Sequence, residues 1–228
     1  MRRFVRLTRG VLCGFVAVIC LRADTLKEVL DRMDRSAETF QGMTANLTQL
    51  QHTAIINEDD RDSATVRMKK TKEGLRGFVE FAEPNRRLIG FENRELQVYY
   101  PKTNTVNIYD LGKHGAQLDQ FLLLGFGTSG KQLEKTYNMR VTGAETLNGN
   151  PVTHVELLPK TAEVKEYLKK VELWIPSSAS YPVQEKIDKN DQDYILIQYS
   201  DVKINPGLTD KDLALSLPAG VNKVYPQK

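Results

Sequence analysis

The sequence predicts an α+β fold, mainly β, in which a long and strongly curved antiparallel sheet carries helices on one side. Three observations lead to this prediction. Apolar residues recur every three or four positions over residues 24–43. Short β-rich runs separated by turn residues fill most of the remaining chain, and one apolar helical stretch interrupts them at residues 116–124. Residues 24–228 are enough for one domain with a sizeable core.

The elements follow in order from these patterns. The first is an amphipathic helix over residues 24–43, capped by Asp24 or Thr25. The predicted strands before the helical interruption cover residues 45–53, 64–70, 75–82, 87–91, 95–100 and 105–111. After it, a further helical turn at 129–135 precedes strands at 137–147, 152–158, 169–175, 183–189 and 194–204. We expect residues 161–168 to form a long hairpin connection, and a short turn near Asp210 to precede a last run at 213–217. The total is ten or eleven strands.

The first 23 residues have the features of a secretory signal peptide, which we expect to direct the protein to the periplasm. The basic residues of this segment are Arg2, Arg3, Arg6, Arg9 and Arg22, and it holds no acid. Its apolar run from Val11 to Leu21 is about half the length that crosses a bilayer. We expect cleavage after Ala23; lipid attachment at Cys20 and a retained anchor are the alternatives.

This segment accounts for the net positive charge of the chain and for both of its cysteines. The chain has 32 basic and 29 acidic residues, but five of the basic ones lie in the first 23, so residues 24–228 are slightly acidic. Both cysteines, Cys13 and Cys20, lie there too, so the exported domain needs no redox chemistry. The remaining basic clusters are short and lie at strand ends, which argues against nucleic-acid binding.

The apparent chemical motifs do not predict an enzyme. Residues 125–132, G-F-G-T-S-G-K-Q, match G-x-G-x-x-G, but Gln132 replaces the hydroxyl of a P-loop and a β-meander flanks the motif. We interpret the glycines as a flexible hinge after a helix. The histidines, His52, His114 and His154, form no metal-binding pair, and no G-x-S-x-G elbow is present. Asp191 and Asp193 stop short of a calcium loop, although a loose calcium site stays an alternative. We therefore predict no catalytic residues, cofactor or structural metal.

What remains is a surplus of apolar residues. The helical stretch at 116–124 has more of them than one helix face needs, and the neighbouring strands add aromatic and branched residues. One interpretation is an ordinary core between helices and sheet. The other is that the sheet and a movable helical lid enclose a cavity for acyl chains.

The order of several short motifs resembles that of the LolA family of outer-membrane lipoprotein carriers. The motifs are F-Q-G-M-T-A-N-L-T-Q at 40–49, G-F-V-E-F at 77–81, V-Y-Y-P at 98–101, L-L-P-K at 157–160, V-E-L-W-I at 171–175 and L-P-A-G-V at 217–221. Each motif is weak alone, and their order over essentially the whole exported chain carries the resemblance.

The resemblance implies an unclosed β-barrel of about eleven strands with a helical lid, which carries lipoprotein acyl chains through the periplasm without ATP of its own. It implies a monomer that meets an inner-membrane release complex and an outer-membrane acceptor. The implied lid residues are Leu118, Phe121, Leu122 and Leu123. The implied cavity residues on the sheet are Leu47, Phe78, Phe81, Leu88, Phe91, Val98 and Tyr100.

One position departs from the family. LolA proteins have an arginine immediately before the proline that follows the G-F-V-E-F strand, and it holds the lid closed; here Glu83 precedes Pro84. Either Arg86 or Arg87 takes over this latch, or the lid closes differently and the cargo is another lipid. The alternative function is a sensor of the same fold that binds acylated ligands and signals through a membrane partner. We expect such a sensor to carry a second domain, and little chain follows Val221.

Overall fold

The computed structural model describes residues 22–92, 94–112 and 124–226, and every strand in these ranges belongs to one sheet. The strands are β1 (Gly42–Thr53), β2 (Glu58–Lys70), β3 (Leu75–Phe81), β4 (Leu88–Glu92), β5 (Glu95–Tyr100), β6 (Thr105–Asp110), β7 (Tyr137–Leu147), β8 (Asn150–Pro159), β9 (Lys170–Pro176), β10 (Gln184–Asp188), β11 (Tyr194–Ile204) and β12 (Asn222–Val224). The α-helices are α1 (Leu26–Thr39), α2 (Gly130–Thr136) and α3 (Ala162–Lys165).

The sheet is curved and does not close. Its order is β12-β6-β5-β4-β3-β2-β1-β11-β10-β9-β8-β7, so β12 and β7 are its two free edges. All neighbours are antiparallel except β12 and β6. The central strand β1 pairs with β2 over its whole length and with β11 on its other side. It therefore joins the half of the sheet formed by β2 to β6 and β12 to the half formed by β7 to β11.

The predicted fold class and most predicted elements are confirmed, with four differences. Helix α1 ends at Thr39 rather than at residue 43, and β1 begins at Gly42 rather than at residue 45. Strand β2 begins at Glu58 rather than at residue 64, because its acidic start is held by pairing with the end of β1. Residues 161–168 contain the one-turn helix α3, capped by Thr161. Residues 213–217 form no strand, and the last strand is Asn222–Val224 beside β6. The helix predicted at 116–124 falls mostly outside the described residues.

Helix α1 covers one half of the sheet. Thr25 caps it with a reciprocal capping box to Glu28, which satisfies two of the free N–H groups of the first turn. Its buried side chains are Val29, Leu30 and Met33. Val29 and Leu30 lie one helical turn before Met33, so all three share one face of the helix. They pack with Leu133 of α2 and with apolar residues of β7–β10, including Val155, Leu157, Val171, Leu173 and Ile187. We call the face of the sheet that carries these helices the inner face.

A second apolar cluster continues the inner face over the other half of the sheet. Its buried members are Phe40, Met43, Ala45, Val66, Met68, Leu75, Phe91 and Phe126. All but Phe40 and Phe126 come from β1 to β4, and those of β1 and β2 alternate with polar residues along the strand. The inner face is therefore apolar from β7 to β4.

The opposite, outer face is polar over most of the sheet but apolar at one end. There the chain after β11 returns across it, and Leu215, Leu217 and Val221 pack against Tyr99, Val106 and Ile108 of β5 and β6. Lys69 and Arg67 of β2 donate to the carbonyl oxygens of Leu208 and Asp212 in this segment, at 2.9 and 3.2 Å. The C-terminal segment thus covers strands β3 to β6 on their outer face.

Close packing on the inner face requires a glycine at position 77. A Cβ atom there would lie 2.0 Å from the Phe91 ring, which is buried in the second cluster. We expect Gly77→Ala to lower the free energy of unfolding by about 1–3 kcal/mol, because the ring must move within a packed core. Urea denaturation measures this change. Gly143→Ala is the matched control, since a Cβ there meets nothing within 4 Å, and it should change stability by less than about 0.5 kcal/mol. Equal effects of the two substitutions would contradict the packing argument.

Candidate ligand-binding face

The described helices do not cover the whole inner face. Strand pairing places Leu47 of β1 between Ala64 of β2 and Tyr199 of β11, and Ala64 lies opposite Phe81 of β3. Apolar side chains in this region stay partly exposed, in contrast to the buried core beneath α1. They are Leu47, Val79, Ile89, Leu96, Ile195, Ile197 and Tyr199. An apolar surface of this kind, with access to solvent, suits a hydrocarbon ligand.

Five of the seven strand residues predicted for the cavity lie on this inner face. Leu47 and Phe81 share the row just described, and Phe91 belongs to the second cluster. Val98 and Tyr100 of β5 alternate with the outer-face residue Tyr99. Whether they contact a ligand stays a prediction.

The placement of Phe78 and Leu88 on this side was wrong. Gly77 pairs with Phe91, so Phe78 points to the outer face, where the Arg67 guanidinium lies 5.3 Å from its ring centre. Leu88 packs on the outer face with Tyr99 and the C-terminal segment. Strands β3 to β5 are apolar on both faces, so alternation alone did not reveal which residues face inward.

The predicted lid residues Leu118, Phe121, Leu122 and Leu123 lie outside the described residues. The described chain resumes at Leu124, and we call Leu124–Phe126 the strap. Leu124 is 2% exposed and packs in the apolar cluster beneath α1, which we call the first cluster. Phe126 is 1% exposed and packs in the second cluster. The Phe126 ring stacks on Tyr181 at 5.6 Å and meets Tyr199 edge-on at 4.9 Å. The strap therefore bridges the two halves of the inner face.

Two glycines let the strap lie so close to the sheet. Gly125 and Gly127 have φ of +80° and +68°, in the left-handed region that favours glycine. A Cβ atom at Gly127 would lie 2.2 Å from the Phe40 ring, and one at Gly125 would lie 2.5 Å from Pro182. These glycines are tightly packed, and the sequence interpretation as a flexible hinge did not anticipate this packing.

The two arginines proposed for the latch lie on opposite faces. The Arg87 guanidinium stacks on the Phe81 ring, 3.5 Å from its centre, and donates to Asp62 Oδ2 at 2.9 Å. Asp62 and Phe81 belong to the inner face, so Arg87 lies at its rim. Arg86 instead pairs with Glu80 on the outer face at 2.9 Å. The position of Arg87 makes it the arginine that a ligand on the inner face would meet.

Sequence reasoning missed a buried acid on the inner face. Glu185 of β10 is 4% exposed, and its Oε2 accepts a hydrogen bond from the Tyr199 hydroxyl at 3.3 Å. Its Oε1 has no hydrogen-bond partner within the described chain. Burial raises the pKa of Glu185 to about 8, and burial beside this acid raises the pKa of Tyr199 well above 10. Glu185 lies between Gln184 and Lys186 in the sequence, so nothing marked it as the buried member of a polar strand.

Two surface depressions lie mainly on the outer face of the sheet. One of about 390 Å³ lies between the outer face of β4 and β5 and residues Leu213–Leu215. Another of about 560 Å³ is lined mainly by outer-face residues, including Asn46, Thr48, Ser63 and Thr65. Over residues 22–92, 94–112 and 124–226, no three His, Cys, Asp or Glu side chains are grouped to hold a metal ion. None of the helices described is long and apolar enough to span a bilayer.

Comparison with known proteins identifies the fold. No protein-family model and no curated protein sequence matches the chain. An uncharacterized conserved protein from Thermus thermophilus shares 15% identity with a TM-score of 0.55, over 87% of this chain and 98% of its own. MucB shares 12% identity with a TM-score of 0.50 over 84% of this chain, which spans 62% of MucB. A LolA superfamily protein, NE2245 from Nitrosomonas europaea, shares 15% identity with a TM-score of 0.42, over 85% of this chain and 99% of its own.

These matches define a class of fold. The Thermus protein and MucB share the fold of this chain, and the unclosed curved sheet with helices on one side that the sequence predicted is confirmed. At identities of 12–15%, what the proteins share is the architecture.

Glu185 makes stability depend on pH. Its pKa is raised from 4.5 to about 8, so the folded state binds the proton more tightly than the unfolded state does. Stability from this group is therefore complete below pH 4.5 and is lost as the pH rises through 8. The difference corresponds to about 5 kcal/mol between the two protonation states.

We expect Glu185→Gln to unfold like the wild type at about pH 5 and to be several kcal/mol more stable than the wild type at about pH 9. Denaturation curves at the two pH values test this, and a stability difference independent of pH would contradict it.

Proposed function

We propose that this protein is a non-enzymatic periplasmic carrier that shields the acyl chains of lipoproteins, or of another lipid, against its inner face. It accepts them at the inner membrane and moves them towards the outer membrane. One observation carries the proposal: the apolar inner face is partly uncovered, and the strap fills part of it with Leu124 and Phe126. A sixteen-carbon chain left in water costs on the order of 10 kcal/mol, so transfer requires a shield.

The strap explains how the cargo is released without an energy source of its own. Leu124 and Phe126 occupy apolar surface that a hydrocarbon chain would also occupy. Burying each of these side chains is worth about 1.5–3 kcal/mol, so an acyl chain that displaces them loses part of its own burial energy to the exchange. The net free energy of cargo binding is therefore small, so the cargo can pass on to a site that buries it more completely.

The alternative function is a sensor that binds an acylated ligand and signals through a membrane partner. The likeness of fold to MucB, which has also been solved in complex with MucA, supports this alternative. Native mass spectrometry of protein purified from its periplasm separates the two functions. Acylated species bound to a monomer without a protein partner support the carrier, whereas a bound segment of a membrane protein, with or without lipid, supports the sensor.

The carrier requires apolar contact at Leu47. We expect Leu47→Asp to weaken binding of a diacylated lipopeptide at least about tenfold, because the ligand would have to cover a carboxylate. Thr48→Asp is the matched control, since Thr48 is the next residue of β1 and points to the outer face. Displacement of an apolar fluorescent probe measures both affinities. Similar losses in the two variants would show that the ligand does not bind the inner face.

The latch requires Arg87 rather than Arg86. Arg87→Leu removes the partner of the largely buried Asp62 and should speed cargo release several-fold, because the rim of the inner face loses its ion pair. Arg86→Leu removes only the outer-face pair with Glu80 and should release cargo at the wild-type rate. Stopped-flow transfer of a labelled lipopeptide to vesicles measures the rates. Wild-type release by the Arg87 variant would exclude this residue from the mechanism.

A further inference from the structure

The buried carboxyl of Glu185 is unusual because one of its oxygens has no partner. Its neighbours across the inner face are Ile197 of β11 and Leu173 of β9, both apolar. Oε2 accepts from the Tyr199 hydroxyl, whereas Oε1 is inaccessible to solvent and unpaired in the part of the chain described. Buried polar groups in folded proteins are almost always hydrogen-bonded, so an exception calls for an explanation.

The unpaired oxygen lies under the strap. A Cβ atom at Gly125 would lie 3.6 Å from Oε1, so this oxygen lies next to the backbone of the strap. Tyr199, which holds the other oxygen, is in edge contact with Phe126 of the strap. A ligand that displaces the strap would therefore uncover Glu185 and Tyr199 together.

We propose that Glu185, held by Tyr199, is the polar recognition point of the inner face and donates a hydrogen bond to the ester or amide carbonyl of the acyl cargo. This inference rests on the proposed carrier function and names the part of the cargo that is recognised. The unpaired oxygen then gains its partner when the cargo binds.

The chemistry of the site selects an acceptor. At neutral pH the buried Glu185 is protonated, and a protonated carboxyl has one O–H to donate. Because the Tyr199 hydroxyl donates to Oε2, the proton of the acid belongs on Oε1, the oxygen without a partner. The ionisable groups that act on this site are Tyr199 and Tyr137, which are both neutral at this pH. A linked acyl chain offers carbonyl acceptors, whereas a plain hydrocarbon offers none.

The position of Glu185 also suits a chain anchored at one end. Four strand spacings separate β10 from β3, which is roughly 19 Å at about 4.8 Å each. The surface between them carries the partly exposed Ile197, Tyr199, Leu47 and Val79. An acyl chain whose carbonyl meets Glu185 can thus lie across the uncovered part of the inner face towards β3.

A pair of lipids that differ only in linkage tests the inference. A diester phospholipid and its diether analogue, with identical chains and headgroup, are compared by displacement of an apolar fluorescent probe from the full exported protein. We expect the wild type to bind the diester about tenfold more tightly. Glu185→Gln should keep most of this preference through its amide N–H, and Glu185→Met should lose it while still binding the diether. Lys186→Met, on the outer face of the same strand, should behave like the wild type.

The outcomes separate the inference from the proposed function. Equal affinity of the wild type for the two lipids, or an unchanged preference in Glu185→Met, would overturn the role of Glu185 and leave the carrier function standing. Absence of binding to either lipid would overturn the carrier function and this inference with it. The pH dependence of unfolding reports independently that Glu185→Met is folded, because that variant should lose the destabilisation above about pH 8.

Discussion

The pairing of β1 with its two neighbours is the constraint on which the rest of the structure depends. Strand β1 lies in the middle of the sheet and pairs with β2 and β11 along nearly all of its twelve residues. A slip of one residue would turn Leu47 and Ala45 to the outer face and bring Asn46 and Thr48 inside. The two inner-face clusters meet at β11, and β1 joins β11 to the remaining strands of the second cluster, so the register of β1 decides which residues of that cluster face inward.

The polar groups on the inner face lower the stability of the fold, and their positions fit the ligand exchange that we propose. An apolar residue at position 185 would avoid the burial of an unpaired oxygen, and the Arg87–Asp62 pair takes two charges partly out of water. Both groups lie beside the uncovered strip, one beneath the strap and the other at the rim. A face built only for stability would have neither, so their positions are best understood together with ligand exchange.

The two faces of the sheet are covered by different segments of the chain. On the inner face, helix α1 covers the β7–β10 half, and the three strap residues bridge towards the β1–β4 half. On the outer face, the C-terminal segment covers β3–β6 with Leu215 and Leu217. The outer face of strands β3 to β5 is therefore packed against the C-terminal segment, while apolar residues on their inner face stay partly exposed. This arrangement lets an open sheet keep apolar surface accessible without losing its core.

The sequence by itself determined the class of fold and the elements. The period of α1, the capping Thr25 and the alternation of most strands are local patterns, because they depend on the spacing of neighbouring residues. It also indicated the family likeness and five of the strand residues on the inner face. Only the tertiary structure decided that Phe78 and Leu88 face outward, that Arg87 rather than Arg86 reaches the inner rim, and that Glu185 is buried. Those outcomes depend on strand register and on the segments that cover each face, which are set by contacts between residues far apart in the chain.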